Sequence, residues 1–523
     1  MSVGSSRVCV IGAGAGGLAA AIDLARRGAE VTVLEAAGHT GGKIRTAQAG
    51  AAAIDAGPTV LTMRWVFDAL FDDAGVSIES QLRLHRTELL ARHAWGERQT
   101  LDLFSDIEQS ADAIGALAGA ADARGYRAFC ARAQRIYEAL EDSFVHAPRP
   151  TALSLAAGAG MRGLIGLWGL SPFATLWDAL GEHFRDPRLR QLFGRYATYS
   201  GSSPFLAPAT LMLIAHVERL GVWLVEGGMA RLAAAMTELA RRCGATVRCE
   251  ERVDEILVAA GRAKALRLQS GECIEADAIL SNVDCAALAT GAFGNAVIAA
   301  VPEVLPAARS LSAMTWALHA ASDGFPLARH NVFFSRDYRQ EFADIFVRSQ
   351  LPRAPTVYVC AQDRDTPDGV SSGSRERLFV LTNAPAIADR HRFTHAEIEQ
   401  CTRATFGTLE RCGLSVRHQP DAEEVTTPAE FAARFPATGG ALYGRAVHGS
   451  MAAFRRPGSR SGIPGLYLAG GSVHPGPGVP MAVLSGRLAA KTILEDLAST
   501  STPRRAAMRG GISTRSATMA RTA

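Results

Sequence analysis

At 523 residues and 55.3 kDa the chain is too long for one small core, and a prior of roughly 150 residues per domain implies several domains. Apolar residues make up 48% and charged residues 20%, with a mean hydropathy of +0.07, which excludes global disorder. The net charge of +4 and the scatter of basic among acidic residues give no nucleic-acid footprint. Nine cysteines without a CxxC pair or a His/Cys cluster argue against a metal site and for a reducing, cytoplasmic setting, and no cleavable leader precedes the first apolar run. No window reaches the ~18–20 apolar residues of a membrane-spanning helix. The nearest approach is 163–177, interrupted by glycines and Pro172.

In chain order, Arg7 to Ile11 is a short apolar strand and Gly16 to Arg27 has helical periodicity ending at Gly28. Glu30 to Leu34 is again apolar and β-branched, which completes a βαβ unit. From about 76 to 224 the pattern is mostly helical, clearest over 126–143, 187–197 and 207–220. A second α/β stretch follows, with a helix over 228–242 and short strands at 246–248, 253–258, 265–269 and 278–280. The turns at Ala260-Gly261 and Ser270-Gly271 make its middle a hairpin meander. Strands at 312–320, 356–360 and 378–382 are assigned to a separate sheet. A last strand over 465–469, a Gly/Pro-rich loop and a helix over 481–497 close the ordered chain. Beyond Asp496 come five arginines and no acid, a composition that predicts a disordered basic tail over 499–523.

The strongest motif is Gly12-Ala-Gly14-Ala-Gly16-Gly17, a GxGxxG between strand and helix, with Glu35 ending the next strand. Gly12 permits the tight turn, Gly14 lets backbone approach a pyrophosphate, Gly17 allows close helix–strand packing, and Glu35 can accept ribose hydroxyls. This context points to a dinucleotide and leaves FAD and NAD both open. Gly38-His-Thr-Gly41-Gly42-Lys43-Ile-Arg-Thr46 resembles the GG motif of a large flavoprotein group, with His39 where that group has arginine. A plain Gly-Gly turn with a solvated lysine is the alternative. The run from Gly465 through Gly470, Gly471, His474, Gly478 and Val479 to Met481 supplies a second strand, glycine turn and helix start. Two motifs at opposite ends of the chain that must meet on one cofactor favour FAD. Asp55-Ala-Gly57-Pro58-Thr59 and Gly227-Gly228-Met229 are subsidiary turns.

These segments, with Ala276 to Asp284, Gly201 to Pro208, Gly439 to Gly449 and the glycine-rich run to Met481, carry a resemblance to the bacterial phytoene desaturase family. Within it the chain is similar to the hydroxycarotenoid 3,4-desaturases. The likeness covers roughly residues 6 to 497 and stops before the basic tail. It implies an α/β fold in which a Rossmann-like FAD domain (1–75, 225–300 and 440–498) is interleaved with a mixed sheet-and-helix substrate domain (76–224 and 301–439). It implies non-covalent FAD, with Gly41, Gly42 and Lys43 against the diphosphate and ribityl chain and Pro58 and Thr59 near the isoalloxazine. Val253 would meet the adenine through its backbone, and Gly470, Gly471, Val479 and Met481 would lie around the flavin.

The implied reaction is introduction of a C3–C4 double bond into a 1-hydroxy or 1-methoxy acyclic carotenoid, with oxygen or a quinone as electron acceptor and peripheral contact with the cytoplasmic membrane. A phytoene-type desaturase, a carotenoid isomerase or oxygenase, a flavin amine oxidase and a non-enzymatic flavoprotein are the alternatives. Catalytic residues are not legible; Tyr443, His448, His474 and Arg64 are candidates because they lie in or beside motif segments.

Overall fold

A computed structural model describes residues 6–141, 174–364, 374–417 and 419–501. The predicted βαβ unit forms as expected: the strand Arg7–Ile11, the helix Ala15–Ala25 and the strand Glu30–Leu34. Every residue of that helix is buried. Its alanine-rich surface, apolar but for Asp23, which pairs with Arg26 and Arg487, suits a helix enclosed between the sheet and two further helices, Met229–Arg242 and Val479–Ser501.

Five parallel strands make the central sheet, in the order Thr246–Arg248, Glu30–Leu34, Arg7–Ile11, Ala278–Ser281, Leu466–Leu468. The chain therefore returns three times, from distant segments, to one sheet. Four of them are short, largely buried apolar runs and were visible in the sequence for that reason, whereas the edge strand Thr246–Arg248 is partly exposed. In an open parallel sheet ligands bind beyond the carboxyl ends of the strands. Here that edge gathers Gly12, Glu35, Asn282 and Ala469. The meander stands apart as an antiparallel sheet of Val253–Ala259, Arg262–Leu268 and Cys273–Glu275.

A larger mixed sheet runs Leu414–Arg417, Ser312–Gly324, Arg375–Ala384, Val357–Ala361, His330–Phe333, Leu89–Gly96, Gln99–Phe104, with Glu423–Thr426 also paired to the long strand Ser312–Gly324. It is separate from the parallel sheet, as expected. The hairpin Leu89–Phe104 corrects the mostly helical reading of 76–224. Its buried His93 interrupts the apolar alternation, and its tip at Glu97-Arg98 is charged, so neither strand nor turn signal is strong. A second unforeseen hairpin joins Thr46–Ala49 to Ala52–Asp55.

Helical segments are placed with shifted ends. Ala120–Leu140 starts at the break of Gly119, and the expected 187–197 helix ends at Gly194 and tightens into the 3-10 segment Arg195–Ser200. The last helix extends from Val479 to Ser501, into the start of the expected tail. The rest of that tail and residues 163–173 of the apolar segment lie outside the described residues. Among the described residues no helix is long and apolar enough to cross a membrane, and no group of His, Cys, Asp and Glu could hold a metal ion.

Candidate active site

The glycine turn is held by the strands around it. Gly12 N–H donates to the Leu34 carbonyl and Asn282 N–H to the Ile11 carbonyl, each at 2.8 Å. Gly17 sits so close beneath the turn that a Cβ there would stand 2.2 Å from the Gly12 carbonyl oxygen. Gly14 opens the helix with no side-chain cap and no acid in the first turn, which leaves orphan N–H donors and the positive helix end free for an anion. The Glu35 carboxylate accepts from Ala13 N–H at 2.7 Å and Ala37 N–H at 2.9 Å, so it braces the two turns against each other and keeps a lone pair on each oxygen. The Glu35 backbone accepts from Glu251 N–H, which brings the start of the Val253 strand alongside.

The GG motif lies on this turn: Gly41 pairs with Gly14 as an isolated bridge and donates its N–H to Ala13 at 2.9 Å. Lys43 does not point to solvent. Its ammonium donates to the Leu442 carbonyl and stands 5.0 Å over the Phe435 ring. Burial lowers its pKa, opposed by the Asp284 carboxylate and reinforced by Arg456. The turn Asp55–Thr59 rests directly on this motif, since a Cβ on Gly57 would meet the Lys43 carbonyl. Asp55 accepts from Met229 N–H at 2.7 Å, and thereby caps the helix Met229–Arg242 from across the chain. The two subsidiary turns of the sequence are thus one structure. Thr59 continues outward through a 2.7 Å hydrogen bond between its hydroxyl and that of Tyr358.

The C-terminal motif closes the edge. Asn282 Nδ2 donates to the Ala469 carbonyl at 3.1 Å, Gly470 N–H donates to Ser485 Oγ at 3.1 Å, and Cys285 N–H donates to Ser472 Oγ at 3.1 Å. The helix carrying Val479 and Met481 starts immediately beyond. Arg456, buried, donates to the carbonyls of Tyr443 and Gly471 at 3.0 Å and of Arg445 at 2.7 Å, and so ties this turn to the segment Gly439–Gly449. Burial pulls its pKa down to about 10, so it remains charged at neutral pH. Asn282 was visible only as a strand-end residue within a motif, and Arg456 carried no signal at all.

The catalytic candidates have structural partners. His448 Nε2 accepts from Ser203 N–H at 3.0 Å, and burial pulls its pKa down to about 4, so the ring is neutral and carries its proton on Nδ1. Tyr443 donates its backbone N–H to Ser310 Oγ at 3.0 Å, and its ring fills the space beside Gly201. The motif segments around 201 and 443 are therefore packed on each other. His474 is buried, with its backbone N–H on the Pro457 carbonyl. Arg64 is committed elsewhere, paired with Asp68 and Glu79 and stacked 4.7 Å over the Trp223 ring.

Residues 15–494 match the family described as flavin-containing amine oxidoreductases. The chain is 52% identical to a hydroxyneurosporene desaturase of Rubrivivax gelatinosus, over 98% of each chain. It is 45% identical to a hydroxyneurosporene desaturase of Cereibacter sphaeroides, over 95% of this chain and 99% of that one. Among solved structures a putrescine oxidase variant aligns with a TM-score of 0.57 at 13% identity, over 95% of this chain and 99% of that one, a likeness of fold alone. The uncapped helix end, the bare backbone at Gly14, the close packing that Gly17 allows beneath the turn, and the braced Glu35 fit the FAD this family uses. The chain belongs to the flavin-containing amine oxidoreductase family and, within it, to the carotenoid desaturases.

Proposed function

We propose that this chain is an FAD-dependent desaturase that introduces a C3–C4 double bond into a 1-hydroxy or 1-methoxy acyclic carotenoid. The observation that carries the reading is identity of 52% to a hydroxyneurosporene desaturase along nearly the whole of both chains, together with the cofactor frame described above. In this reading Gly12, Gly14, Gly17 and the helix end hold the diphosphate, Glu35 the adenosine ribose and Val253 the adenine. Gly41, Gly42 and Lys43 hold the diphosphate and ribityl chain, and Pro58, Thr59, Gly470, Gly471, Val479 and Met481 surround the flavin. Segments 1–75, 225–300 and 440–498 serve the cofactor, and 76–224 with 301–439 serve the substrate.

When bound, FAD supplies the acceptor for the equivalent of a hydride taken from one carbon while a proton leaves its neighbour. The protein's part is to align the polyene and exclude water. An amine oxidase commonly needs a lysine at the flavin. Lys43 is engaged by Leu442, while Lys264 and Lys491 are exposed on a meander strand and on the last helix. Oxygen or a membrane quinone would reoxidise the flavin, and exchange of so apolar a ligand calls for peripheral contact with the bilayer.

Anaerobic mixing of the yellow holoprotein with either pigment or amine tests this. Bleaching of the flavin by a hydroxylated carotenoid and none by amines is expected; the reverse would overturn the reading. Fractionation tests the membrane contact, since protein wholly in the high-speed supernatant, with Leu164, Ile165 and Trp168 changed to Ser causing no loss on liposomal substrate, would refute it.

A further inference from the structure

One half-buried cation stands among aromatic side chains beyond Thr59. The 3-10 segment Arg195–Ser200 places Arg195 between the rings of Tyr199 and Tyr358, 5.3 and 5.4 Å from their centroids. Its Nη1 donates to the Tyr199 hydroxyl at 3.1 Å, which donates to Glu218 Oε1 at 2.9 Å. Tyr196 donates to the other oxygen of Glu218 at 2.7 Å. Among the described residues the Arg195 guanidinium forms no ion pair and no hydrogen bond besides that to Tyr199, so Nε and Nη2 have no protein acceptor. Tyr199 keeps 38% of its surface exposed, so the cluster is open to a ligand on that side. Two more polar atoms there are unpartnered and buried: the hydroxyl of Tyr338, which feels the Arg195 charge, and Nε2 of His330, whose Nδ1 shares the Tyr358 hydroxyl at 2.8 Å. His330 is neutral, its pKa pulled down to about 3 by burial.

We propose that Arg195, held by Tyr199 and Glu218, recognises the oxygen on the substrate's end group and so sets the preference for oxygenated over plain hydrocarbon carotenoids. The inference rests on the function proposed above and assigns its specificity to named residues. The bond to be oxidised lies only two carbons from the oxygenated C1. The group that reads the oxygen must therefore stand beside the reaction centre and not at the far end of a tunnel. Arg195 meets this requirement: through Tyr358 it is one side chain from Thr59, in the turn that rests on the GG motif, and its charge reaches Tyr443.

A guanidinium only donates, so it reads a lone pair and requires no proton in return, which suits a hydroxyl and a methoxyl alike. A hydrocarbon end would displace water from Nε and Nη2 and offer nothing in exchange. The two flanking rings hold the cation in place when no oxygen is there.

The test is equilibrium binding of 1-hydroxyneurosporene and of neurosporene to purified holoprotein, followed by pigment absorption, with kcat/KM for both in the same liposomes. The wild type is expected to favour the hydroxylated pigment, and Arg195→Met to reduce that ratio at least about tenfold, the loss falling on the hydroxylated pigment. Tyr199→Phe, which keeps the packing, is expected to lower the ratio in the same direction by a smaller factor, and it carries the test if Arg195→Met fails to retain FAD. Equal losses on both pigments, or an unchanged ratio in either folded variant, would overturn the assignment and leave the desaturase reading standing. A wild type that binds neither pigment would sink that reading as well.

Discussion

Replacing Arg456 by Met probes the joint between the C-terminal glycine turn and the segment around Tyr443. Methionine keeps much of the length and removes every donor. The carbonyls of Tyr443, Arg445 and Gly471 then lose their shared partner within a site where Arg456 itself is 7% exposed. An orphaned buried carbonyl costs about 1–3 kcal/mol, and removal of a buried charge that others rely on about 3–5 kcal/mol. Because the three losses share one relaxation, the expected destabilisation is about 3–5 kcal/mol and not their full sum. Asp284 also loses the guanidinium whose charge it faces. The assay is urea unfolding followed by tryptophan fluorescence, with FAD occupancy from the ratio of visible to ultraviolet absorbance. Arg456→Lys, which keeps charge without the planar fork, should recover only part of the loss. Unfolding within about 0.5 kcal/mol of the wild type, with full FAD in Arg456→Met, would refute the reasoning.

Gly14→Val should yield colourless protein, because a Cβ there would stand 2.7 Å from Asn282 Oδ1 and would occupy the approach of a diphosphate; stoichiometric FAD in the purified variant would contradict this. Glu341 is buried, accepts from Thr356 Oγ1 at 2.6 Å and forms no ion pair among the described residues, so burial pushes its pKa from 4.5 up to about 7. A folded pKa above the unfolded one gives stability that is full below pH 4.5 and is lost as pH rises through 7, by about 3 kcal/mol. Denaturation at several pH values should show Glu341→Gln gaining on the wild type across that window, and parallel profiles would disprove it. His448→Leu orphans the Ser203 N–H and should cost about 1–3 kcal/mol of stability without changing the pH profile of kcat/KM; loss of a titration from that profile would show instead that His448 handles a proton.

Much of the cofactor frame was legible because its signals are local. The apolar run to Ile11, the glycine spacing and Glu35 lie within one βαβ unit, and Leu466 to Met481 repeats the same grammar. The meander was legible for the same reason, its turn marked by Ala260-Gly261, where both residues have positive φ. What escaped depends on distant chain. The hairpin Leu89–Phe104 is a strand pair largely because His330–Phe333 pairs with it. Asp55 is oriented by Gln362, 307 residues away, and Arg456 has meaning only where three carbonyls converge. His448 and Arg64 stood out by proximity to motifs, yet the first serves Ser203 and the second Asp68 and Glu79. Arg195 lay within the helix expected over 187–197 and stands just past its observed end at Gly194; only the aromatic rings around it set it apart from a surface arginine.

The central claim is tested most directly by expressing the chain in cells that accumulate phytoene, neurosporene or 1-hydroxyneurosporene and separating the pigments by chromatography. The account predicts that the hydroxylated pigment alone is converted efficiently, to a product with one further conjugated double bond at the 3,4 position and a red-shifted spectrum. Conversion of phytoene with the hydroxylated pigment left untouched would contradict it.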